Sequence, residues 1–384
     1  WAVQDKKDLN LFAGDGVACW EAVMKAGHGR ADYLLYVDTK VVGVIEAKPE
    51  GTTLSGIEWQ SAMYATGLPA EAQLRSVTID GRLPFVFEAS GSETHFTNGY
   101  DPHPRARRVF NFPKPSTLAQ LVRTADADPD RPTWRAKVRN LPPLDESALR
   151  PAQITAINGI EQSLADQHFD RSLVQMATGA GKTFTAVTTA YRLLKFGGFR
   201  RILFLVDRNN LAEQTLAEFQ NYRTPGDGRR FTEIYNADKL TSAGRRGWSA
   251  VEGSTIQRVC SVLRGQDVTE GDDPNLDDYV PDAPVTVTYS SALPPEAFDL
   301  VIVDEAHRSI YGVWRGVLEY FDAHIIGLTA TPGKQTFAFF RQNLVSEYTD
   351  PQSVADRVNV DFDLYRIRTQ ISEHAVHDFQ RKVL

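Results

Sequence analysis

The sequence has 384 residues, enough for two or three domains. Its 42% hydrophobic and 24% charged residues are ordinary for a globular protein, and its net charge of −7 gives no support of its own for nucleic-acid binding. Two cysteines argue against a disulfide scaffold and fit a reducing, cytoplasmic setting, and there is no signal peptide and no apolar run of membrane-spanning length.

A β-hairpin is predicted near the amino terminus, within an α/β domain that we place at residues 1–112. Two apolar runs flank the turn Asp38-Thr39-Lys40. If Thr39 is the centre of that turn, Asp32 and Glu46 are equally distant from it and face each other, with Cβ atoms about 5 Å apart. Two opposed carboxylates on an otherwise apolar hairpin predict a hard cation held between them.

Further candidate catalytic residues lie close to these acids in the sequence. Lys48 is two residues beyond Glu46 and so projects on the same face, where it can stabilise charge on a phosphate or position the attacking water. Gln60 and Tyr64 are one helical turn apart downstream, and a predicted upstream helix offers Glu21 as a further acid. The alternative is structural: a hairpin with an ordinary Glu–Lys surface pair and a solvated aspartate.

Two regions follow this domain. Residues 113–148 are rich in proline, aspartate and arginine, which predicts a linker with at most one short helix. In residues 149–335, strand and helix patterns alternate, which predicts a parallel sheet covered on both faces. Strands are expected at 172–176, 201–206, 254–259, 300–304 and 325–329, and helices at 151–166, 182–195, 209–220 and 312–320. Within this region, 267–282 contains seven acidic residues and no basic one, which predicts a solvated insertion.

A phosphate-binding loop is predicted where residues 175–183 read Gln-Met-Ala-Thr-Gly-Ala-Gly-Lys-Thr. A glycine-rich turn can point its backbone N–H groups inward as an anion nest, while Lys182 meets the β- and γ-phosphates and the Thr183 hydroxyl ligates Mg²⁺. The usual first glycine of the motif is replaced by Met176. The predicted nucleotide-binding residues of this loop are Thr178, Gly179, Ala180, Gly181, Lys182 and Thr183. The alternative is a plain glycine turn between a strand and a helix.

The second half of the predicted nucleotide site is Asp-Glu-Ala-His at 304–307, after the apolar run Leu-Val-Ile-Val. This placement puts the Asp304 carboxylate at the carboxyl end of a strand, where open α/β sheets bind ligands and where it can hold Mg²⁺. Glu305 can orient or deprotonate the attacking water. An acidic strand end without a ligand is the alternative.

Several polar residues at other strand ends are candidates for smaller roles. The Thr-Ala-Thr run at 329–331 can couple the nucleotide to motion, and Gln153 can read both edges of adenine. Thr255 and Gln257 on a strand end, and Arg208 at a strand-to-helix junction, are predicted to contact DNA phosphates. Thr, Asn and Gln at strand ends are also common caps and turns.

The order of these motifs resembles that of superfamily 2 helicases and translocases, whose lobes are RecA-like. The resemblance implies that Lys182, Thr183, Asp304 and Glu305 serve ATP and Mg²⁺, and that His307 links the nucleotide to the nucleic-acid side. Such motors close two lobes over ATP, and the second lobe supplies arginine fingers.

The amino-terminal pattern, Asp32 followed by Glu46-Ala-Lys48, resembles the core of the PD-(D/E)xK nucleases, and Gln60 with Tyr64 resembles an element of the RecB-type members. One family joins such a nuclease to a helicase lobe in this order: the restriction (motor) subunit of type I restriction–modification enzymes. The chain is similar to it over nearly its whole length. The stretches that carry the resemblance are 31–38, 44–48, 175–183, 204–208, 254–258, 298–312 and 326–332.

That family implies an ATP-driven translocase on double-stranded DNA that cuts at a distance from its recognition site, with ATP and Mg²⁺ as cofactors. It also implies a specificity subunit and a methylation subunit as partners. Nothing in this sequence reads bases, so we expect the choice of DNA sequence to lie in those partners. Residues 336–384 are too few for a second lobe and are expected to be a connection toward it. The chain begins at Trp1 without a methionine, so we expect a fragment. Because the second lobe is missing, we expect it to bind ATP better than it hydrolyses it.

Two other functions remain compatible with these residues. One is a helicase–nuclease of DNA repair or phage defence that acts without methylation subunits. The other is a non-catalytic ATP-binding scaffold with an inert hairpin. Co-purification of a methyltransferase argues against the first, and divalent-cation binding argues against the second.

Overall fold

A computed structural model describes residues 1–54, 64–166, 169–206, 209–240, 249–265, 285–309 and 314–361. These residues form two seven-stranded β-sheets, one in each half of the sequence. The predicted acidic insertion and the candidates Gln60 and Arg208 lie outside the described residues. Within the described ranges, no helix is long and apolar enough to cross a membrane.

The first sheet is mixed, and its strands follow chain order. They are β1 (Ala2–Asp5), β2 (Gly16–Val23), β3 (Arg30–Val37), β4 (Lys40–Ala47), β5 (Phe85–Ala89), β6 (Thr94–Asn98) and β7 (Arg107–Val109). Strands β4 and β5 are parallel, as are β1 and β2, and the other neighbours are antiparallel. The segment around Glu21 was predicted to be a helix, which is wrong: it is strand β2, which pairs along both edges.

The predicted hairpin is formed by β3 and β4. Its turn is shorter than predicted, because Val37 pairs with Lys40 and only Asp38 and Thr39 remain in the loop, with φ of 49° and 63°. Positive φ at both central residues is the mark of a tight hairpin turn that matches strand twist. A bulge after Leu35 then shifts the register by one residue, so that Tyr33 pairs with Ile45. The bulge thereby brings Asp32 and Glu46 to the opposed positions expected from a longer turn.

Both faces of the first sheet are covered. Phe85, Phe87 and Phe96 lie in the core on one face, where the rings of Phe87 and Phe96 stack with centroids 4.5 Å apart. The other face packs against Tyr64 and Leu68, which follow the hairpin in the chain. The acids of the hairpin lie on this second face, since they are in step with Leu34 and Val44 of the same core cluster.

The region predicted to be a linker contains packed helices. The first domain and this region contain α1 (Ala70–Gln73), α2 (Pro115–Ala127) and α3 (Trp134–Lys137). Helix α2 buries Leu118 and Ala119 against the first sheet. Pro115 occupies its first position, where a missing N–H costs no hydrogen bond, so the proline that suggested a linker starts a helix.

The second sheet is parallel throughout its described pairs, in the order β10-β11-β9-β12-β13-β8-β14. Its strands are β8 (Arg171–Met176), β9 (Ile202–Val206), β10 (Ala237–Lys239), β11 (Val251–Thr255), β12 (Leu300–Val303), β13 (His324–Thr329) and β14 (Leu344–Tyr348). Helices α4 to α11 are Pro151–Asp166, Lys182–Lys195, Asn209–Asn221, Ile256–Leu263, Ala306–Ser309, Arg315–Leu318, Lys334–Phe339 and Asp350–Ala355. Separate apolar clusters cover its two faces, which confirms the predicted architecture and supports a RecA-like domain.

Three predictions about this domain need correction. The strand predicted at 254–259 ends at Thr255, and α7 begins at Ile256, because Ile256, Val259, Cys260 and Leu263 recur at helical spacing and are all buried. Residues beyond 335, predicted to lead away from this lobe, add strand β14 beside β8. The helix predicted at 312–320 is shorter than expected: α9 covers only Arg315–Leu318. Residues 310–313 lie outside the described residues.

The first domain contacts the amino-terminal edge of the parallel sheet. Arg107 in β7 donates from Nε and Nη2 to the two carboxylate oxygens of Asp322, just before β13, at 2.8 Å each. The N–H of Lys114 donates to Glu296 Oε1 at 2.7 Å. The carboxyl ends of the parallel strands, where ligands bind in open α/β sheets, lie at the opposite edge.

Candidate nucleotide and nuclease sites

The predicted phosphate loop connects β8 to α5. Gly179 and Gly181 have φ of 78° and 91°, in the left-handed region that residues with a Cβ rarely adopt. Gly181 caps α5, which begins at Lys182, so the loop delivers the unpaired amides of a 14-residue helix to one place. Thr183 is half-buried in the first turn, and Thr178 is exposed. The Ala180 N–H donates to Ala177 O at 3.2 Å, so this amide is used within the turn itself.

The Asp-Glu-Ala-His segment lies beside this loop, as predicted. Lys182 Nζ is 3.5 Å from Glu305 Oε1. Asp304 follows β12, and its N–H donates to Leu205 O of the neighbouring strand at 2.8 Å. Burial raises the pKa of Asp304, and the neighbouring Glu305 charge adds to this, while the Glu305 N–H and Lys182 act in the opposite direction. A partly desolvated carboxylate beside a phosphate loop can hold a divalent cation.

His307 connects this segment to the end of β13. Its Nδ1 is 2.9 Å from Thr329 Oγ1 and 3.3 Å from Glu305 Oε2. Thr329 Oγ1 also accepts a 3.2 Å hydrogen bond from the Thr331 N–H. The Thr-Ala-Thr run is therefore joined to the candidate nucleotide site through the imidazole of His307.

Gln153 contacts the phosphate loop directly. Its side chain is buried, its Nε2 donates to Gly181 O at 3.3 Å, and its Oε1 accepts from the Arg150 N–H at 2.9 Å. The amide predicted to read adenine is thus hydrogen-bonded within the protein. Sequence reasoning missed Asn359, whose Nδ2 donates to Thr178 O at 2.9 Å. No local motif marks this residue, because it reaches the loop from a distant part of the chain.

The residues predicted to contact DNA phosphates do not alternate along a strand end, because β11 stops at Thr255. Thr255 caps α7, because its Oγ1 accepts from the Arg258 N–H at 3.3 Å, and Gln257 lies within that helix. The two residues are only 2% and 8% exposed. The structural interpretation of Thr255 as a cap is therefore confirmed.

The hairpin site brings its predicted residues together. Asp32 Oδ2 accepts a 2.7 Å hydrogen bond from the Ala47 N–H, and Lys48 Nζ contacts Glu46 Oε1. Glu46 is only 3% exposed, and its Oε2 has no hydrogen-bond partner among the described residues. Burial raises the pKa of Glu46, the contact with Lys48 opposes this, and the neighbouring Asp32 adds to it.

Of the other predicted nuclease residues, Tyr64 is buried near the hairpin site and Glu21 is half-exposed. Tyr64 is 6% exposed and lies near Lys48, whose pKa is raised chiefly by its hydrogen bond to Glu46 and to a smaller degree by the charges of Asp32 and Tyr64. Glu21 pairs with Arg30 at 3.1 Å, and both side chains are about half-exposed. In the described part of the chain, no group of three or more His, Cys, Asp or Glu residues could hold a metal ion.

A two-carboxylate arrangement still fits a magnesium ion. Mg²⁺ commonly binds through one or two carboxylates and keeps several waters. The buried Glu46 oxygen without a hydrogen-bond partner lies beside the Asp32 carboxylate, and such an atom is costly unless something binds it. The geometry thus provides a place for a cation next to a lysine.

Two family models match this chain. Residues 146–334 match a family described as type III restriction enzyme, res subunit, and residues 12–97 match one described as the second domain of the type I restriction enzyme EcoKI endonuclease subunit. The parallel-sheet lobe is therefore a helicase-like domain of the kind found in restriction enzymes.

Similarity to individual proteins extends over both domains. The chain is 26% identical over 390 residues to the type I restriction enzyme EcoKI endonuclease subunit of Escherichia coli (strain K12), covering 87% of this chain. It is 29% identical over 394 residues to the EcoAI endonuclease subunit of Escherichia coli, covering 94% of this chain. The chain is a homologue of the type I restriction enzyme endonuclease subunits. It spans 30% and 42% of the length of these two relatives.

Among solved structures, the chain is similar to a nuclease-deletion mutant of the Type ISP restriction-modification enzyme LlaGI in complex with a DNA substrate mimic. The match has 20% identity and a TM-score of 0.37, and covers 62% of this chain and 23% of that one.

Proposed function

We propose that this chain forms part of the ATP-dependent translocase and endonuclease subunit of a type I restriction–modification enzyme. The observation that carries the nuclease half is the juxtaposition of Asp32, Glu46 and Lys48, with one buried carboxylate oxygen without a hydrogen-bond partner. The first domain is then a PD-(D/E)xK-type nuclease that hydrolyses phosphodiester bonds in double-stranded DNA.

The hairpin residues divide the chemistry of cutting between them. Asp32 and Glu46 would hold Mg²⁺, which lowers the pKa of bound water and neutralises charge on the phosphate. Lys48 is held beside the same oxygens by Glu46 and presents its ammonium to the scissile phosphate, where charge grows as water attacks. Tyr64 limits access of solvent to these residues, since it is buried against the hairpin.

The motor half follows from the phosphate loop. The helix amides and Lys182 bind the nucleotide phosphates, while Thr183 and Asp304 would hold the magnesium ion that accompanies ATP. Glu305, close to both Lys182 and His307, orients the attacking water. His307 and Thr329 then carry the change in nucleotide charge to the end of β13.

The partners of this subunit are proposed to be double-stranded DNA, a specificity subunit and a methylation subunit. The two relatives are named as type I restriction enzyme endonuclease subunits, which supports this assignment. No candidate base-reading residue was identified, so recognition of a DNA sequence is assigned to the specificity subunit.

Plasmid cleavage by the assembled complex, with and without ATP, tests both halves. Asp32→Ala and Lys182→Ala are each expected to abolish cutting, but only Lys182→Ala abolishes ATP turnover. Asp15→Ala, an exposed aspartate in the loop before β2, is the matched control and should retain both activities. Normal cutting by Asp32→Ala would overturn the nuclease assignment.

A further inference from the structure

A row of polar side chains crosses the first sheet from the hairpin acids to its edge. In the strand register, Glu46 pairs with Glu88, Glu88 pairs with His95, and His95 pairs with Arg108. Asp32 extends the row on the other side of Glu46. Paired residues project on the same face of a sheet, so these side chains form one line across strands β3 to β7.

The row changes from buried and acidic to exposed and basic. Glu46 and Glu88 are 3% and 1% exposed, whereas the side chains of His95 and Arg108 are 24% and 69% exposed. Strands lie about 4.8 Å apart, so Arg108 is about 14 Å from Glu46 along the row. That distance corresponds to about four phosphates of rise along one strand of a duplex.

The basic end of the row opens into a cleft between the two domains. The cleft has a volume of about 1060 Å³, and its exposed arginines include Arg105 and Arg108 from the first domain and Arg315 and Arg341 from the second. Arg315 and Arg341 are paired with Glu319 and Asp170. The whole lining contains seven arginines and five acidic residues, so it is net positive in a chain whose net charge is −7. Such a surface attracts a polyanion.

The ion pairs at the basic end are loose. Glu93 Oε1 is 3.9 Å from Arg108 Nη1, and Glu93 Oε2 is 3.9 Å from His95 Nε2. The Glu93 side chain is itself 40% exposed. Exposed pairs of this length contribute little stability, so a phosphate can replace the carboxylate without a large cost.

We propose that His95 and Arg108, continued by the arginines of the cleft, bind backbone phosphates of the DNA strand whose scissile phosphate lies at Asp32, Glu46 and Lys48. This inference rests on the proposed nuclease function. The acidic end of the row holds the cation, and the basic end fixes the strand a few nucleotides away, so the row sets where along the backbone the cut falls.

The test uses the full-length subunit assembled in its complex, with non-specific duplex DNA for binding and a plasmid for cutting. Arg108→Gln is expected to weaken DNA binding about tenfold and to reduce the slope of log affinity against log salt by about 0.9. His95→Gln should have a smaller effect in the same direction. Cutting should be restored at high DNA concentration, and ATP turnover at saturating DNA should be unchanged.

Arg123→Gln is the matched control. Its side chain is 58% exposed and lies 3.7 Å from Asp38, much like the Arg108–Glu93 pair, but it projects from α2, which covers the opposite face of the sheet. Glu93→Gln gives a readout that a structural role would not produce. Removal of the competing carboxylate should tighten DNA binding several-fold, whereas loss of a merely structural pair would leave it unchanged or weaker.

The outcomes separate this inference from the nuclease assignment. If Asp32→Ala abolishes cutting while Arg108→Gln and Arg123→Gln have the same affinity and the same salt slope, the phosphate row is wrong and the nuclease stands. If Asp32→Ala cuts normally, the nuclease assignment fails irrespective of Arg108.

Discussion

Buried charge is arranged in opposite ways at the contact between the domains and on the hairpin. At the contact, both oxygens of Asp322 accept from Arg107, and Asp101 lies 3.7 Å from Arg107 and 3.6 Å from Arg135. Burial acts to raise the pKa of Asp322, but Arg107 outweighs it and lowers that pKa below its usual value.

On the hairpin, acids accumulate beside each other instead. Glu46 is next to Asp32 and in register with Glu88, and only Lys48 opposes its charge within the described contacts of Glu46. The net result is a raised pKa for Glu46. Matched charges inside the protein hold the domains together, whereas buried acids that are incompletely matched mark a candidate ligand site.

The largest expected effect is at the domain contact. Arg107→Ala leaves the Asp322 carboxylate largely buried without its bidentate partner, which should reduce the free energy of unfolding by about 3 kcal/mol. Denaturant unfolding measures this loss. Arg123→Ala, an exposed arginine, should change stability by less than about 0.5 kcal/mol. Equal effects for the two variants would show that the Arg107–Asp322 contact contributes nothing to the free energy of unfolding.

Glu46→Gln should increase the stability of the folded protein, whereas Arg107→Ala should decrease it. Because burial raises the folded-state pKa of Glu46, its ionisation costs stability, and this cost grows as pH rises above the unfolded-state value. Without divalent cations at pH 8, we expect the neutral variant to melt a few degrees higher than the parent. Mg²⁺ should raise the Tm of the parent but not of the variant, and the variant should lose cutting. A lower Tm together with an intact Mg²⁺ response would contradict the cation site.

The residues that were predictable from the sequence are those in contiguous motifs at strand ends. Lys182 and Asp304 belong to short runs whose neighbours in the chain also form the site, so a local pattern identifies them. The Asp32–Glu46 pairing was predicted from a longer turn than the one observed, and it holds because the bulge after Leu35 compensates for the shorter turn. That bulge was not predictable, since it depends on packing against neighbouring strands.

What sequence reasoning missed depends on register between strands far apart in the chain. Glu88, His95 and Arg108 join the hairpin row only through pairings of β5, β6 and β7 that no local pattern encodes. Asn359 reaches the phosphate loop because β14 runs parallel to β8 and brings the chain to the edge of the sheet where that loop begins. The strand predicted at 254–259 is right only as far as Thr255, because the residues from Ile256 onward have helical spacing.

The smallest expected effect on stability is that of a substitution at Glu252. This substitution tests whether a raised pKa alone marks a functional site. Glu252 lies in β11, where burial raises its pKa from 4.5 to about 7, while its Oε1 accepts a 2.9 Å hydrogen bond from the Ser249 N–H. The folded protein therefore holds this proton more tightly than the unfolded chain does, so the stability contribution falls as pH rises from about 4.5 to about 7. Glu252→Gln should flatten that part of the Tm–pH curve by a few degrees and leave cutting and ATP turnover unchanged. Loss of either activity in a stably folded variant would mean that the carboxylate serves a ligand rather than the fold, as we propose for Glu46.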